Sequence, residues 1–371
     1  MIHISNNFVS SSVHANLIAA LSREADQQKV IVPIRDRSQR GINEESCSGV
    51  SFEYIDFNNA FIKYFPLFKV MFLSLKCYFI FRSFYKFREQ RSEKLSVVAH
   101  NFWSDGMLAF VNSFFFPMRY VLVVRNTDVN YFIAKLPHYR WLMRRAIRRS
   151  EGLVFVSKSH FQRFETRWPG MLRCARKVEV VPNAISDWWL DNLLDQPLAR
   201  SKQACFVGRF DKNKNLVNLV KAAVIVHRAM PDFRLVVAGG ERSDFLSATG
   251  LSSVPEFVDI AGKLAREDVL KIYRSSRVFA MPSFTETFGL VYLEALSQGC
   301  AVICSSGEGI DGMWDEPFIR AVNPKSVNDL ARMMIELINA YPKGIPESWS
   351  SVEIGKFEWN RVAERYLEFF A

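Results

Sequence analysis

The sequence predicts an α/β fold of two doubly wound domains that face each other across a cleft. The chain has 371 residues, which is too long for one ordinary hydrophobic core, so two domains are expected. In both halves, short apolar runs alternate with segments of helical length, a pattern typical of parallel sheets covered by helices on both faces. In such sheets, ligands bind at the carboxyl ends of the strands.

The first domain is predicted at residues 1–185, and six of its apolar runs are interpreted as strands. They are 1–5 (MIHIS), 29–35 (KVIVPIR), 96–101 (SVVAHN), 119–126 (RYVLVVRN), 152–157 (GLVFVS) and 177–183 (KVEVVPN). We place the join near Pro182–Ser201, where PNAISDWW and the polar stretch DNLLDQPLARSKQ separate the two sheets.

The second domain is predicted at residues 186–355. Its strands are 204–210 (ACFVGRF), 233–240 (FRLVVAGG), 256–262 (EFVDIAG), 277–283 (RVFAMPS) and 300–306 (CAVICSS). Its helices are predicted at Asn215–Met230, Arg266–Ser275 and Phe288–Gln298.

The composition is that of a globular protein, with 49% hydrophobic and 23% charged residues. The start MIHISNNFVSSS lacks the basic and apolar regions of a secretory signal, and no stretch reaches the roughly 18 uncharged apolar residues of a membrane span. The six cysteines show no C-x-x-C spacing, which favours reduced thiols. These features predict a cytosolic protein.

The segment SFTETFGLVYLEALSQG at 283–299 reads as a loop and a helix after a strand. The backbone amides of Phe288, Gly289 and Leu290 are expected to be unpaired at the start of this helix, which predicts an anion site. Glu294, one turn inside the helix, is placed to accept hydrogen bonds from two adjacent hydroxyls of a ribose, and Glu286 in the loop is placed for a second polyol. The alternative is that Glu294 is a solvated residue of a surface helix.

A second cluster follows another strand, in FVGRFDKNKN at 206–215. Gly208 turns the chain there, and Arg209 and Lys214 follow before a helix. A guanidinium and an ammonium at one strand tip suit the two phosphates of a diphosphate. The alternative is a solvated basic loop.

Together these segments resemble the retaining nucleotide-sugar glycosyltransferases of the GT-B fold, family 4. The similar segments are VGRFDKNKN, LVVAGG, FVDIAGK, MPSFTETFGLVYLEALSQG and VVPNAI, with VVAHNFWSDG, VVRNTDVN and GLVFVS in the first domain. The resemblance implies two Rossmann-like domains, with the acceptor bound by 1–185, the donor by 186–355, and a C-terminal helix at 356–371 that crosses back to the first domain.

The resemblance also implies a role for each candidate residue. Arg209 and Lys214, after the turn at Gly208, would hold the donor diphosphate, and Glu294 would hold the ribose. Glu286, with the amides of Phe288, Gly289 and Leu290, would contact the sugar and its phosphate, and Lys263 would lie near the base. His100 would lie beside the transferred sugar; its alternative is a hydrogen-bonded structural histidine. The sequence departs from the family at 125–130 (RNTDVN), where His-Gly-x-Asp is usual, and at 9–17 (VSSSVHANL), where a glycine-rich loop is usual.

The implied activity is transfer of a sugar from a UDP- or GDP-linked donor to a hydroxyl of a glycan acceptor, often a lipid-linked one, in bacterial surface polysaccharide or lipopolysaccharide biosynthesis. Retention of configuration is expected without a cofactor or a metal, and the sequence contains no Asp-x-Asp pair and no histidine cluster with metal-ligand spacing. Positive side chains would then stabilise the departing diphosphate.

Charge is distributed unevenly along the chain. Residues 1–185 carry 27 Lys or Arg against 14 Asp or Glu, and residues 186–371 carry 21 against 24. The aromatic segment 61–94 holds eight basic residues against two acidic ones. As a helix from Pro66, it would place Lys69, Lys76, Arg82 and Lys86 within an arc of about 140°. This predicts peripheral attachment of the first domain to the anionic inner face of the cytoplasmic membrane; the alternative is a core helix with one solvated basic face.

Three competing functions were weighed. A basic half is also typical of nucleic-acid binding, but the sequence has no base-reading module or aromatic RNA-binding motif, so no nucleic-acid partner is expected. A sugar-nucleotide epimerase or a phosphorylase of the same fold would use the same phosphate cluster. A non-catalytic scaffold is disfavoured because all four charged donor positions are present.

Overall fold

The computed structural model describes residues 1–24, 27–57, 66–88 and 94–371. Two compact units make up the chain. The first comprises Met1–Val156, His160–Asn183 and Trp359–Ala371, and the second comprises Ser157–Ser159 and Ala184–Glu358.

Seven parallel strands, counted over the described residues, form the sheet of the first unit. They are β1 (Ile2–Ile4), β2 (Gln28–Ile34), β3 (Val50–Asp56), β4 (Leu95–Ala99), β5 (Met118–Val124), β6 (Gly152–Phe155) and β7 (Val178–Val180). Their order is β3-β2-β1-β4-β5-β6-β7. Because the chain runs outward from β1 in both directions, the strand order reverses between β1 and β4, where doubly wound sheets bind ligands.

The helices that precede residue 184 cover this sheet. They are α1 (Ser12–Glu24), α2 (Pro66–Arg88), α3 (Gly106–Asn112), α4 (Ile133–Lys135), α5 (Arg140–Arg149), α6 (Lys158–Arg167) and α7 (Pro169–Leu172). A π-helical turn, Asp128–Phe132, leads into α4. The core between sheet and helices contains Phe81, Phe102, Tyr120 and Phe155, all with less than 1% of their surface exposed.

The second unit has a sheet of six parallel strands among the residues that the structure describes. They are β8 (Ser201–Val207), β9 (Arg234–Ala238), β10 (Val258–Gly262), β11 (Ser276–Ala280), β12 (Ala301–Ser305) and β13 (Ile319–Val322), in the order β10-β9-β8-β11-β12-β13. The helices are α8 (Asp187–Asp191), α9 (Leu216–Ala229), α10 (Arg242–Thr249), α11 (Arg266–Ser275), α12 (Leu290–Ser297), α13 (Val327–Ala340) and α14 (Glu347–Ile354). The strand order reverses between β8 and β11.

The last helix, α15 (Trp359–Leu367), packs against α1 of the first unit. Its buried face carries Trp359, Val362 and Tyr366. The Arg119 guanidinium on β5 donates hydrogen bonds to the backbone carbonyls of the final residues, Phe369 to Ala371. The C-terminus is therefore fixed to the first unit by both packing and hydrogen bonds.

Two parallel, doubly wound sheets confirm the predicted fold class, and two strands were missed. These are β3 and β13, and each lies at the edge of its sheet. An edge strand is covered less completely than a central one, so it tolerates polar residues such as Glu53 and Arg320. Both strands were missed because the predicted strands are mainly apolar runs.

Candidate active site

Two loops meet at the carboxyl edge of the second sheet because the strands before them, β8 and β11, are parallel neighbours. Asn213, in the loop after β8, joins them. Its side-chain amide donates to the carbonyl of Thr285 at 2.8 Å and its oxygen accepts from the Thr285 amide at 3.1 Å, while its own carbonyl accepts from the amide of Phe284. Asn213 was missed as a site residue, although the repeated asparagine in DKNKN was a usable signal.

Lys214 and Glu286, one from each loop, form an ion pair. The Lys214 Nζ lies 2.5 Å from the Glu286 Oε2, and the two side chains are only 16% and 14% exposed. The structure therefore brings together a predicted diphosphate ligand and a predicted sugar ligand that are 72 residues apart in sequence. A bound phosphate would compete with Glu286 for the ammonium group.

A third loop, after β12, is hydrogen-bonded to the backbone of Glu286. The Glu286 amide donates to the Glu308 Oε2 at 2.9 Å, and the Gly309 amide donates to the Glu286 carbonyl at 3.2 Å. Gly309 has φ +59°, and a Cβ there would lie 2.9 Å from the carbonyl oxygen of Phe288. Its own carbonyl accepts from the hydroxyl of Ser157 at 2.7 Å. Glu308 and Gly309 were missed, although the glycines of SSGEGIDG directly after a strand were a usable signal.

The start of α12 presents donors without acceptors. Among the described residues, no acceptor is bonded to the backbone amides of Phe288, Gly289 and Leu290. Gly289 has φ +83°, and a Cβ there would lie 2.5 Å from the ring of Tyr292, so another residue would displace the turn. The Phe288 ring is buried and stacks on Phe357 at 6.1 Å, which leaves only its amide for a ligand. Free amides at the positive end of the helix dipole favour an anion here.

Glu294 lies on the same helix and is partly buried. Burial raises the pKa of its carboxyl to about 7, while the positive charge of Arg266 and the hydroxyl of Tyr273 act in the opposite direction. The Tyr273 hydroxyl lies 3.5 Å from the Glu294 Oε2, at the limit of a hydrogen bond. A carboxylate held so weakly by its own protein has acceptor capacity left for hydroxyl groups of a ligand.

The remaining second-unit candidates lie at more exposed positions. The Arg209 side chain is 87% exposed, with its Nε 3.8 Å from the Asp211 Oδ2, so it is free to turn toward a ligand. Gly208 donates from its amide to the Ala238 carbonyl at 2.9 Å, and a Cβ on Gly239 would lie 2.2 Å from the Gly208 carbonyl oxygen. Lys263 is exposed and follows β10, which is separated from β8 by β9. The structure thus does not bring Lys263 to the Lys214–Glu286 pair.

His100, the first-unit candidate, is fully buried beside two other histidines. Its Nε2 lies 3.2 Å from the His3 Nδ1, and its ring stacks on that of His14 at 5.0 Å. Burial, together with the neighbouring His14, His3 and Arg125, holds the pKa of His100 well below its usual range. The structure therefore places His100 in a hydrogen-bonded core cluster, which agrees with the alternative of a structural histidine. No group of three or more His, Cys, Asp or Glu side chains in the described part of the chain has an arrangement suited to a metal ion.

Comparisons with known proteins find one family of sequences that is similar to most of the second unit. Residues 196–347 match the model of the family Glycosyl transferases group 1. The D-inositol 3-phosphate glycosyltransferase of Mycolicibacterium vanbaalenii is 30% identical over 187 residues, which are 46% of this chain and 40% of that protein. The chain spans less than half the length of the curated relatives it matches.

Solved structures resemble the whole chain. Sucrose-phosphate synthase from Thermosynechococcus elongatus has a TM-score of 0.68 at 18% identity, covering 100% of this chain and 97% of that one. The apo form of the lipopolysaccharide outer core galactosyltransferase WaaB has a TM-score of 0.70 at 14% identity, covering 100% and 98%. At such identities the likeness shows the fold alone, which is the GT-B arrangement of two parallel-sheet, Rossmann-like domains.

Proposed function

We propose that this protein is a retaining glycosyltransferase of family 4, which transfers a sugar from a UDP- or GDP-linked donor to a hydroxyl of a glycan acceptor. One observation carries the proposal: Lys214 and Glu286 form an ion pair between the loops at two adjacent strand tips. The loop of Glu286 leads to the free amides of Phe288–Leu290 and to Glu294 on α12. Cation, amide donors and carboxylate match the diphosphate, sugar and ribose of a nucleotide-sugar. The family match over residues 196–347 supports the same conclusion.

In the proposed reaction, the bond between the anomeric carbon and the diphosphate breaks while a bond to the acceptor oxygen forms on the same face. The departing phosphate oxygen takes the proton of the acceptor hydroxyl, so no separate strong base is needed. Negative charge grows on that phosphate as the bond breaks. Lys214 and the amides of Phe288–Leu290 would stabilise it from fixed positions, with Arg209 closing from the exposed loop. No metal is required by this scheme.

Same-fold sugar-nucleotide epimerases and phosphorylases are the second candidate, because they would use the same phosphate cluster. Product analysis separates the three activities. An epimerase changes the sugar without an acceptor, a phosphorylase consumes free phosphate, and a transferase releases nucleotide only as an acceptor is glycosylated.

A panel of UDP- and GDP-sugars tests the donor assignment. We expect one donor to raise the unfolding temperature of the purified protein and the corresponding nucleoside diphosphate to compete with it. Lys214→Ala should reduce this shift, whereas Lys221→Ala, an exposed lysine on α9, should leave it unchanged. A protein that no nucleotide-sugar stabilises at millimolar concentration is not a glycosyltransferase of this type.

We further propose that the first unit attaches peripherally to the anionic inner face of the cytoplasmic membrane. A lipid-linked glycan there would be the acceptor in surface polysaccharide or lipopolysaccharide synthesis. Six large apolar side chains of α2 are exposed: Leu67, Phe68, Met71, Phe72, Leu75 and Phe79. At about 100° per residue they fall within an arc of about 140°. The exposed Phe115 adjoins this face, with its ring 5.5 Å from that of Tyr78. An exposed apolar surface of this size is typical of an interaction site.

Cations lie beside the apolar face and on its continuation along α2. Lys76, Arg82 and Lys86 are exposed on the same helix, and the Arg149 guanidinium lies 4.5 Å from the ring centre of Phe114 beside it. Lys69 departs from the predicted arc because it is half-buried and lines a cavity instead. The ends of the predicted basic segment, 61–65 and 89–93, lie outside the described residues. No described helix has the length and apolarity needed to cross a membrane, so the proposal is for an interfacial helix.

Vesicle sedimentation tests the membrane proposal. The wild-type protein should bind vesicles that contain phosphatidylglycerol and should bind phosphatidylcholine vesicles weakly. The Lys76→Glu, Arg82→Glu, Lys86→Glu triple variant should lose this preference, while a Lys325→Glu control on the second unit should keep it. Binding should weaken as salt rises, since screening acts over about 8 Å at physiological ionic strength. Equal binding of wild-type and triple variant would contradict the proposal.

A further inference from the structure

The first unit contains a cavity of about 600 Å³ at the carboxyl edge of its sheet. Its walls come from the loops that follow β1, β2, β4 and β5 and from the start of α2. This is the edge where the strand order reverses, so the cavity occupies the usual ligand position of a doubly wound sheet. Its size suits a monosaccharide with a substituent.

Two cations face this cavity, and in the described part of the chain no carboxylate contacts either of them directly. Arg35, directly after β2, and Lys69, on α2, both line it, and neither forms an ion pair with any residue that the structure describes. Burial and then the positive charge of Arg35 lower the pKa of Lys69, while the negative charge of Asp105 acts in the opposite direction. The ammonium group of Lys69 lies 4.9 Å from the ring centre of Phe57. A partly buried ammonium beside a guanidinium is a costly arrangement that an anion would relieve.

The carboxylate in the cavity wall is already engaged. Asp128 accepts hydrogen bonds from the backbone amides of Phe102, Trp103 and Arg125 at 2.9–3.1 Å. The buried Asp105 nearby accepts from Asn101 and from the amide of Asn6. Neither acid is therefore available to neutralise Arg35 and Lys69 by direct contact.

The rest of the wall suits a sugar ring. Trp103 lines the cavity but is 3% exposed, because its ring stacks on Phe132 at 6.0 Å and on Tyr139 at 5.4 Å; it is a fixed part of an apolar wall. Asn7 and Asn101 add amide groups that donate and accept hydrogen bonds. Apolar faces with a few convergent polar groups are typical of small-molecule sites.

The geometry points to a phosphorylated sugar as the ligand of this cavity, with its phosphate between Arg35 and Lys69 and its ring against the wall that contains Trp103, Asn7 and Asn101. This inference rests on the proposed function, since the bound sugar would be the acceptor. The phosphate is either that of a soluble sugar phosphate or that of a lipid-linked sugar headgroup, because the same two cations would bind both.

The test is equilibrium binding of inorganic phosphate and of a panel of hexose phosphates, by calorimetry in the absence of nucleotide. All proteins carry Lys214→Ala, so that the anion site of the second unit contributes equally to every titration. Lys69→Met keeps the length of the side chain and should weaken hexose phosphate binding about tenfold or more. Arg35→Gln, at an exposed position, should do the same, and Lys76→Gln, two turns further along α2, should have no effect.

Other results would overturn the inference. These are identical phosphate affinities in the Lys69→Met and Lys76→Gln proteins, or unphosphorylated hexoses binding as tightly as the phosphates. Vesicles carrying a sugar-phosphate headgroup distinguish the two sources. If Lys69→Met weakens binding of the soluble hexose phosphate, the ligand is a soluble sugar phosphate; if it weakens binding of the vesicles, the ligand is a lipid-linked headgroup. If hexose phosphates do not bind but the protein with Lys214 intact binds a nucleotide-sugar, the cavity inference is wrong and the proposed transferase function stands. Hexose phosphate binding without any nucleotide-sugar binding would instead refute that function and retain the cavity.

Discussion

Nucleotide-sugar binding should depend on pH through Glu294. Burial raises the pKa of this carboxyl to about 7, so it is ionised to about 90% at pH 8 and to about 10% at pH 6. The ribose hydroxyls would donate to the ionised carboxylate of Glu294, so only the ionised form binds the nucleotide-sugar tightly. The dissociation constant should therefore rise about tenfold from pH 8 to pH 6, or about 1.4 kcal/mol. The affinity is present above the pKa and is lost as pH falls through it.

The variant Glu294→Gln isolates this effect. It keeps the shape of the side chain and removes the charge-assisted acceptor, which should cost about 1.5–3 kcal/mol of affinity at pH 8. Since Gln does not titrate, the variant should bind equally at pH 6 and pH 8. Tyr273 and Arg266 are the other ionisable groups that act on Glu294, and both keep their protonation state over this interval because burial raises the pKa of Tyr273 further and Arg stays charged.

The assay is calorimetric titration with an intact nucleotide-sugar, whose diphosphate is esterified at both ends and has no proton to lose near neutrality. Glu336→Gln, which removes a surface carboxylate paired with Arg320 on the far side of β12, serves as the matched control and should behave as wild type. The reasoning is refuted if wild-type affinity is the same at pH 6 and pH 8, or if Glu294→Gln keeps the wild-type pH dependence.

Three further predictions follow from the same structure. Arg209→Ala and Lys214→Ala should reduce turnover with saturating donor more than they reduce donor affinity, because they stabilise charge that grows in the transition state; near-normal turnover in both would contradict the diphosphate role. Transferase activity should survive EDTA, and a complete loss restored by magnesium or manganese would contradict metal-independent transfer. Asp128→Ala should lower the free energy of unfolding by about 3 kcal/mol in denaturant titrations, because the amides of Phe102 and Trp103 would stay buried without an acceptor; an unchanged midpoint would show that water replaces the carboxylate.

The sequence alone determined the class of fold, and it predicted the residues of a candidate site in the second unit. Uniformly apolar runs are readable because a strand covered on both faces needs an apolar side chain at nearly every position, and glycines and charged residues directly after such runs mark strand tips. Gly208, Lys214 and Glu286 were predicted in this way, and Glu294 was predicted because it is a carboxylate in an apolar helix. The edge strands β3 and β13 were not, since half-covered strands carry a weaker signal.

Tertiary structure decided which of these residues meet. Lys214 pairs with Glu286 only because β8 and β11 are neighbours, and strand order is not encoded in local periodicity. For the same reason His100, which looks like any histidine at a strand tip, is buried against His3 from the adjacent β1, 97 residues away. Lys69 belongs to a basic arc when α2 is considered alone, yet in the folded chain it lines a cavity together with Arg35 from the tip of β2. Local patterns fix which elements form, because burial acts on each element separately; contacts between distant residues depend on how the elements are ordered, and only the folded chain shows that order.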